Sequence, residues 1–181
     1  MKKLKLSELN RINIAEFKES QKTPLVVVLD NVRSLHNIGS VFRTADAFRI
    51  EAIYLCGITG TPPNKEIHKT ALGSTESVCW QYFEKTIDAF KLLKENKYLI
   101  FAVEQAEGSV MLDDFVLPLN DKIGIVFGNE VSGIDDYLMD EVDGCIEIPQ
   151  FGTKHSLNIS VSVGIVIWEI FQKIIGNKKT R

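Results

Sequence analysis

Apolar residues occur along this chain in short β-branched runs, separated by stretches whose apolar positions recur at helical spacing. Leu25 to Leu29 (LVVVL) is apolar on both faces, the pattern of a strand covered on both sides in a parallel sheet. After Asp30-Asn31, the segment from Gly39 to Phe48 places Val41, Phe42, Ala45 and Phe48 on one helical stripe and turns Arg43 to another face. Ala52 to Cys56 predicts a second strand, and Gly57 to Asn64, with Gly60 and Pro62-Pro63, an irregular loop. A short helix follows around Glu66 to Leu72, then a strand over Val78 to Phe83 and an amphipathic helix over Thr86 to Glu95. The second half predicts strands at Tyr98 to Val103, Lys122 to Phe127 and Cys145 to Ile148. Between them lie a long polar loop after Val103, a turn at Gly128 to Gly133 and a short helix at Asp135 to Asp140. Leu157 to Ile175 closes the chain as a long, mostly apolar helix. Strands alternating with helices imply right-handed crossovers and an α/β fold with a parallel sheet. With no repeat and no linker, the simplest division is one domain over 23–175, a basic N-terminal extension over 1–22 and a basic tail over 176–181.

Composition narrows the class. A chain of 181 residues that is 45% hydrophobic and 25% charged is an ordinary globular domain, which excludes disordered and fibrous architectures. The longest apolar-rich run, Ile159 to Phe171, reads as too short and too interrupted by Ser160, Ser162 and Glu169 to span a bilayer. The basic N-terminus has no apolar stretch behind it, so a cytoplasmic protein without a membrane partner is expected. Cys56, Cys79 and Cys145 lack any CxxC and read as small buried hydrophobes, while His36, His68 and His155 lack metal-ligand spacing, so no metal is expected. The formal charge of −3 hides a partition. Residues 1–22 carry six basic and three acidic side chains, and 173–181 carry four basic and none acidic, leaving −10 on the body. Such ends are either phosphate-binding arms or solvated tails.

In parallel α/β sheets ligands gather where strands end at their carboxyl side. Neither GxGxxG nor GxxxxGK[ST] is present, so a dinucleotide Rossmann site and a P-loop are not expected. Asn37, Gly39 and Arg43 fall at a loop-to-helix transition, where free N–H groups and a guanidinium fork suit a phosphate; the plainer reading is a helix cap and a solvated arginine. Gly128-Asn129-Glu130 lets backbone approach a ligand with Glu130 as acceptor, or is simply a tight turn. Ser156-Leu157-Asn158 reads equally as an N-cap and first turn.

Taken together these pieces are far more specific. NxGxxxRTADAF at 37–48, IVFGNEVSGI at 125–134 and IEIPQFGTKHSLNISVSVGI at 146–165 resemble, in order and spacing, the three motifs of the SpoU (TrmH-type) RNA 2′-O-ribose methyltransferases of the SPOUT superfamily. That resemblance implies a parallel sheet with a deep C-terminal trefoil knot, built from residues 98 to 165 with the chain from Asn158 onward threaded through. It implies S-adenosyl-L-methionine as cofactor, with Val103, Gly128, Ile148 and Leu157 lining the adenine and ribose pocket. It implies Arg43 as the catalytic arginine with Asn37 beside it, and Glu130, Ser156 and Asn158 as the polar groups that orient arginine, ribose and knot backbone. The implied substrate is tRNA or rRNA, and the implied assembly is a homodimer through the Leu157–Ile175 helix. Gln150 departs from the family's usual methionine and Val131 from its frequent glycine. A non-catalytic RNA-binding or assembly factor, and a base methyltransferase, are the alternatives on the same fold.

Overall fold

The computed structural model describes residues 1–5, 8–118 and 122–179, the side chains of 177–179 excepted. The body is a seven-stranded sheet in the order β3-β2-β1-β6-β4-β7-β5. Its strands are β1 (Thr23–Asp30), β2 (Ile50–Cys56), β3 (Cys79–Phe83), β4 (Leu99–Val103), β5 (Val110–Met111), β6 (Ile123–Phe127) and β7 (Gly144–Glu147). Every described pairing is parallel. The strand period of two splits β1 between two cores: Leu25, Val27 and Leu29 enter one layer, Val26 and Val28 the other. The first layer is covered by α2 (Leu35–Ala47), α3 (Lys65–Ala71) and α7 (Ile159–Lys179), the second by α5 (Thr86–Glu95) and α6 (Asp136–Met139).

Several expectations change. The helix carrying Arg43 begins earlier than Gly39: Ser34 is its N-cap, accepting the Asn37 N–H at 3.3 Å, so Asn37 sits in the first turn and does not cap it. Gly39 is not a phosphate turn but a packing point, where a Cβ would stand 2.1 Å from Thr70 Oγ1 and 2.3 Å from the Ile67 carbonyl of α3. The N-terminal extension is not a free arm throughout. It contains α1 (Ile14–Glu19), started by an Asn13/Glu16 capping box, and α1 buries Phe17 in the first core layer. Lys22 donates to the carbonyls of Phe17, Lys18 and Ser20 and so closes that helix. Lys2, Lys3, Lys5 and Arg11 remain exposed. In the other basic end, Lys173 donates to the carbonyls of Leu112, Asp113 and Phe115 and pairs with Glu169. The side chains of Lys178, Lys179 and Arg181 lie outside the described residues.

The polar loop after β4 hides β5, whose two exposed residues pair with Ile146 and Glu147 of β7. Of the cysteines, Cys56 is buried as expected, but Cys79 is exposed on the edge strand β3 and Cys145 half-buried. The closing helix is longer than expected. At 21 residues, with mean hydropathy 1.6 over Ile159–Gly176, it is long and apolar enough by length and composition to cross a membrane, contrary to the reading of 159–171. One face of it, however, carries Val163, Val166, Ile167, Ile170 and Ile174 into the core.

Candidate active site

The carboxyl ends of β4, β6 and β7 and the start of α7 enclose a cleft of about 580 Å³. Its shape begins with a glycine. At Gly128, directly after β6, a Cβ would lie 2.3 Å from the Gly133 carbonyl carbon and 2.5 Å from the Ile134 nitrogen. Only glycine lets the chain fold back there, and the turn it permits is closed by reciprocal N–H to O bonds of 3.0 Å between Asn129 and Gly133. Asn129 ties this turn together and to its neighbour. Its Oδ1 accepts from Val131 and Ser132, and its Nδ2 donates to the Asn31 carbonyl at 2.8 Å. Asn31 in turn has a left-handed φ of 54°, and its Oδ1 accepts the Ile58 N–H.

Glu130 projects from the same turn to the approach of α2. Its two carboxylate oxygens accept the main-chain N–H groups of Arg33 and Ser34, each at 3.1 Å. Burial pushes this carboxyl up, but those N–H groups, its own N–H and the Asn37 side chain outweigh it and hold the pKa below the usual carboxylate value. Asn158 joins the third segment: its Nδ2 donates to Asn37 Oδ1 at 3.2 Å, while its Oδ1 accepts from Ser160 N and Oγ and so starts α7. Gln105, after β4, donates to the His155 carbonyl at 3.0 Å and bridges the remaining two walls. Motif residues from three distant segments are thus held by direct hydrogen bonds.

Of the residues expected to act, Val103, Gly128, Glu130, Ile148, Ser156, Leu157 and Asn158 line this one cleft, and Asn37 reaches it through Asn158. Gln150 and Val131, the two departures, line it as well. Arg43 does not. Six residues beyond Asn37 on a helix, it stands about 9 Å further along the axis and about 240° around it. It lines a separate groove with Ser40, Thr44, Ala47, Phe48, Lys69 and Thr70. That groove borders the uncovered side of α7, because Phe48 also packs edge-on against Trp168 with ring centroids 5.7 Å apart. Sequence reading gave no individual role to Asn31, Glu104 or Gln105 and saw Asn129 only as part of the Gly128-Asn129-Glu130 turn; each is a polar position at or next to a strand end with no recognisable spacing of its own.

The cleft's chemistry suits a nucleoside-like cofactor. Val103, Ile148 and Leu157 give apolar walls, while the main-chain groups of Ile148, Ser156 and Leu157 form no hydrogen bond with any described residue and are available to a ligand. Among the described residues no group of three His, Cys, Asp or Glu side chains could hold a metal ion.

Comparison with known proteins agrees with this geometry. The model of the SpoU rRNA Methylase family matches residues 24–168. The chain is 30% identical over 172 residues to a 23S rRNA (guanosine-2′-O-)-methyltransferase of Neisseria meningitidis serogroup B, spanning 94% of this chain and 68% of that protein. It is 28% identical over 163 residues to a tRNA (guanosine(18)-2′-O)-methyltransferase of Thermus thermophilus, spanning 90% of this chain and 82% of the relative. The structure of an AdoMet-bound rRNA methyltransferase from Sinorhizobium meliloti superposes with a TM-score of 0.78 at 29% identity, covering 84% of this chain and 57% of that one.

Proposed function

Because the chain belongs to the SpoU rRNA methylase family, we propose that it methylates the 2′-hydroxyl of a ribose in tRNA or rRNA, with S-adenosylmethionine as methyl donor, in the cytoplasm. One observation carries the reading: seven of the expected site residues, from segments distant in sequence, line a single cleft, and the main-chain groups of three of them, Ile148, Ser156 and Leu157, have no partner among the described residues. Bound there, the cofactor supplies an electrophilic methyl on a sulfonium. Val103, Ile148 and Leu157 would hold its adenosine by apolar contact and main-chain hydrogen bonds. Glu130 holds the entry to α2 in place, and Asn158 and Asn37 link that helix to α7, so the walls keep one geometry. Arg43 is assigned as the cation that stabilises negative charge developing on the ribose 2′-oxygen and grips a neighbouring phosphate through its planar fork.

Arg43 faces away from its own chain's cleft, and this supports a homodimer. Val161, Ile165 and Trp168 on the uncovered face of α7 are 49%, 37% and 51% exposed, an apolar stripe beside the Arg43 groove. Pairing of two copies through this stripe would cover it and put each Arg43 at the edge of the shared interface. The deep knot belongs to the same reading, with the segments around β4, β6 and β7 as its strands. Incubation with labelled donor and total tRNA or rRNA, followed by alkaline hydrolysis, tests the activity. Label is expected in alkali-resistant dinucleotides, because a 2′-O-methyl group blocks cleavage, and Arg43→Ala should abolish it while leaving S-adenosylhomocysteine binding intact. Label confined to mononucleotides would mean a base methyltransferase instead.

A further inference from the structure

Acidic charge in the cleft exceeds what an adenosine site requires. Its lining includes the carboxylates Glu104, Glu130 and Glu147 and no lysine or arginine. Two of the three are engaged elsewhere: Glu130 with Arg33 and Ser34, and Glu147 through Oε2, which accepts from Ser109 Oγ at 2.8 Å. Glu147 Oε1 and Glu104 Oε2 both lack a hydrogen-bond partner among the described residues, but the Glu104 side chain is tied to no other segment: its Oε1 accepts only the N–H of its neighbour Gln105, at 3.0 Å, and its Oε2 is free. That oxygen lies against Gly133 on the facing turn, where a Cβ would stand 2.5 Å from it and where φ is +70°. Glycine at 133 therefore serves the turn and leaves room for the carboxylate. The main chain of Glu104 is fixed on both sides by β7, with its N–H donating to Ile146 O at 3.2 Å and its carbonyl accepting from Cys145 Sγ at 3.4 Å.

Building on the cofactor reading, we propose that Glu104 makes the cleft selective for charge, favouring the sulfonium methyl donor over the neutral thioether product. The donor carries a sulfonium, an ammonium and a carboxylate, net +1. The product has lost the methyl and the sulfonium charge and is net zero, with nearly the same shape. Apolar walls and main-chain hydrogen bonds hold both alike, so discrimination between them must come from a term that responds to charge. No lysine or arginine lies in the lining to cancel the carboxylate, and a carboxylate a few ångströms from a cation favours it by about fivefold even under full water screening. The side chain is positioned before the ligand arrives, so no ordering offsets that gain. Product release is the functional consequence, since transfer of the methyl removes the attraction at the moment the thioether must leave.

Calorimetry on the full chain with three probes tests this: S-adenosylmethionine, sinefungin, which carries an ammonium in place of the sulfonium, and S-adenosylhomocysteine. Glu104→Gln should weaken the two cationic ligands by about fivefold or more and leave the neutral product within about twofold, while Glu104→Asp retains the preference. Equal weakening of all three by Glu104→Gln would make Glu104 a structural residue, and no change in any would leave charge selectivity to other groups; either overturns the proposal alone. Failure of the wild-type chain to bind any of the three overturns the cofactor reading and this proposal with it.

Discussion

Replacing Gly128 by alanine should open the turn on which the cleft depends, and the cost follows from three contacts. The added methyl would meet the carbonyl carbon and oxygen of Gly133 at 2.3 and 2.4 Å and the Ile134 nitrogen at 2.5 Å, all main-chain atoms that cannot rotate aside. Ordinary contact needs at least 3.4 Å, so the facing strand of the turn must retreat by roughly 1 Å. That movement breaks the paired 3.0 Å bonds between Asn129 and Gly133, at about 1 kcal/mol each. Overpacking adds about 1–3 kcal/mol, and the lower entropy of an alanine-containing unfolded chain returns about 0.4–1 kcal/mol. The net is a loss of about 2–5 kcal/mol, or a midpoint lowered by about 4–20 °C for a domain of this size. Thermal unfolding measures the first part, and calorimetry with S-adenosylhomocysteine the second, where affinity should fall at least about tenfold because Gly128 and Gly133 both line the cleft. Gly124→Ala, within the preceding strand β6, is the control: its methyl would come closer than ordinary contact only to Leu93 Cδ1, at 2.9 Å, and a leucine can shift, so the loss should stay below about 1 kcal/mol. A Gly128→Ala chain with the wild-type midpoint and unchanged product affinity would refute the reasoning.

Two further outcomes are expected. The Glu130 carboxyl titrates below its reference value of 4.5 in the folded chain, so its contribution to stability is present above that value and fades as pH falls through the lower folded pKa. Urea midpoints of wild type and Glu130→Gln should therefore differ at pH 7 and approach each other as pH falls below 4.5; a gap independent of pH would contradict this. Trp168→Glu, on the exposed stripe of α7, should sediment as a folded monomer, and the wild type is expected to sediment as a dimer. A wild-type chain that is already monomeric would sink the dimer and the assignment of Arg43 to an interface.

The strands were legible because burial on both faces forces unbroken apolar runs, as in Leu25 to Leu29, and such runs leave little choice of element. What escaped was set by tertiary contacts. β5 has two exposed residues and exists only because β7 offers an edge, and Phe17 reveals nothing of its burial until α1 docks. Cys79 is chemically suited to a core but lies on a strand with one open edge. Within the site, the motif order identified which residues belong together: seven of the nine line one cleft, and Asn37 joins it through its hydrogen bond to Asn158. The exception is Arg43, whose separation from Asn37 follows from helix geometry once both are placed on α2. Glu104 was given no role for another reason: a single acid after a strand has no pattern, and its role depends on the lysines and arginines missing around it.

The sheet order carries a consequence for synthesis. Leu29 of β1 pairs with Phe127 of β6, although β2 is the neighbour made next. While the ribosome adds the intervening segment, at roughly 5–20 residues per second, the LVVVL strand has one edge without a partner for about 5–20 s. A strand that apolar with an open edge is a template for association with other nascent chains. Solubility in the cell thus depends on how quickly translation reaches β6 and on chaperone cover until then.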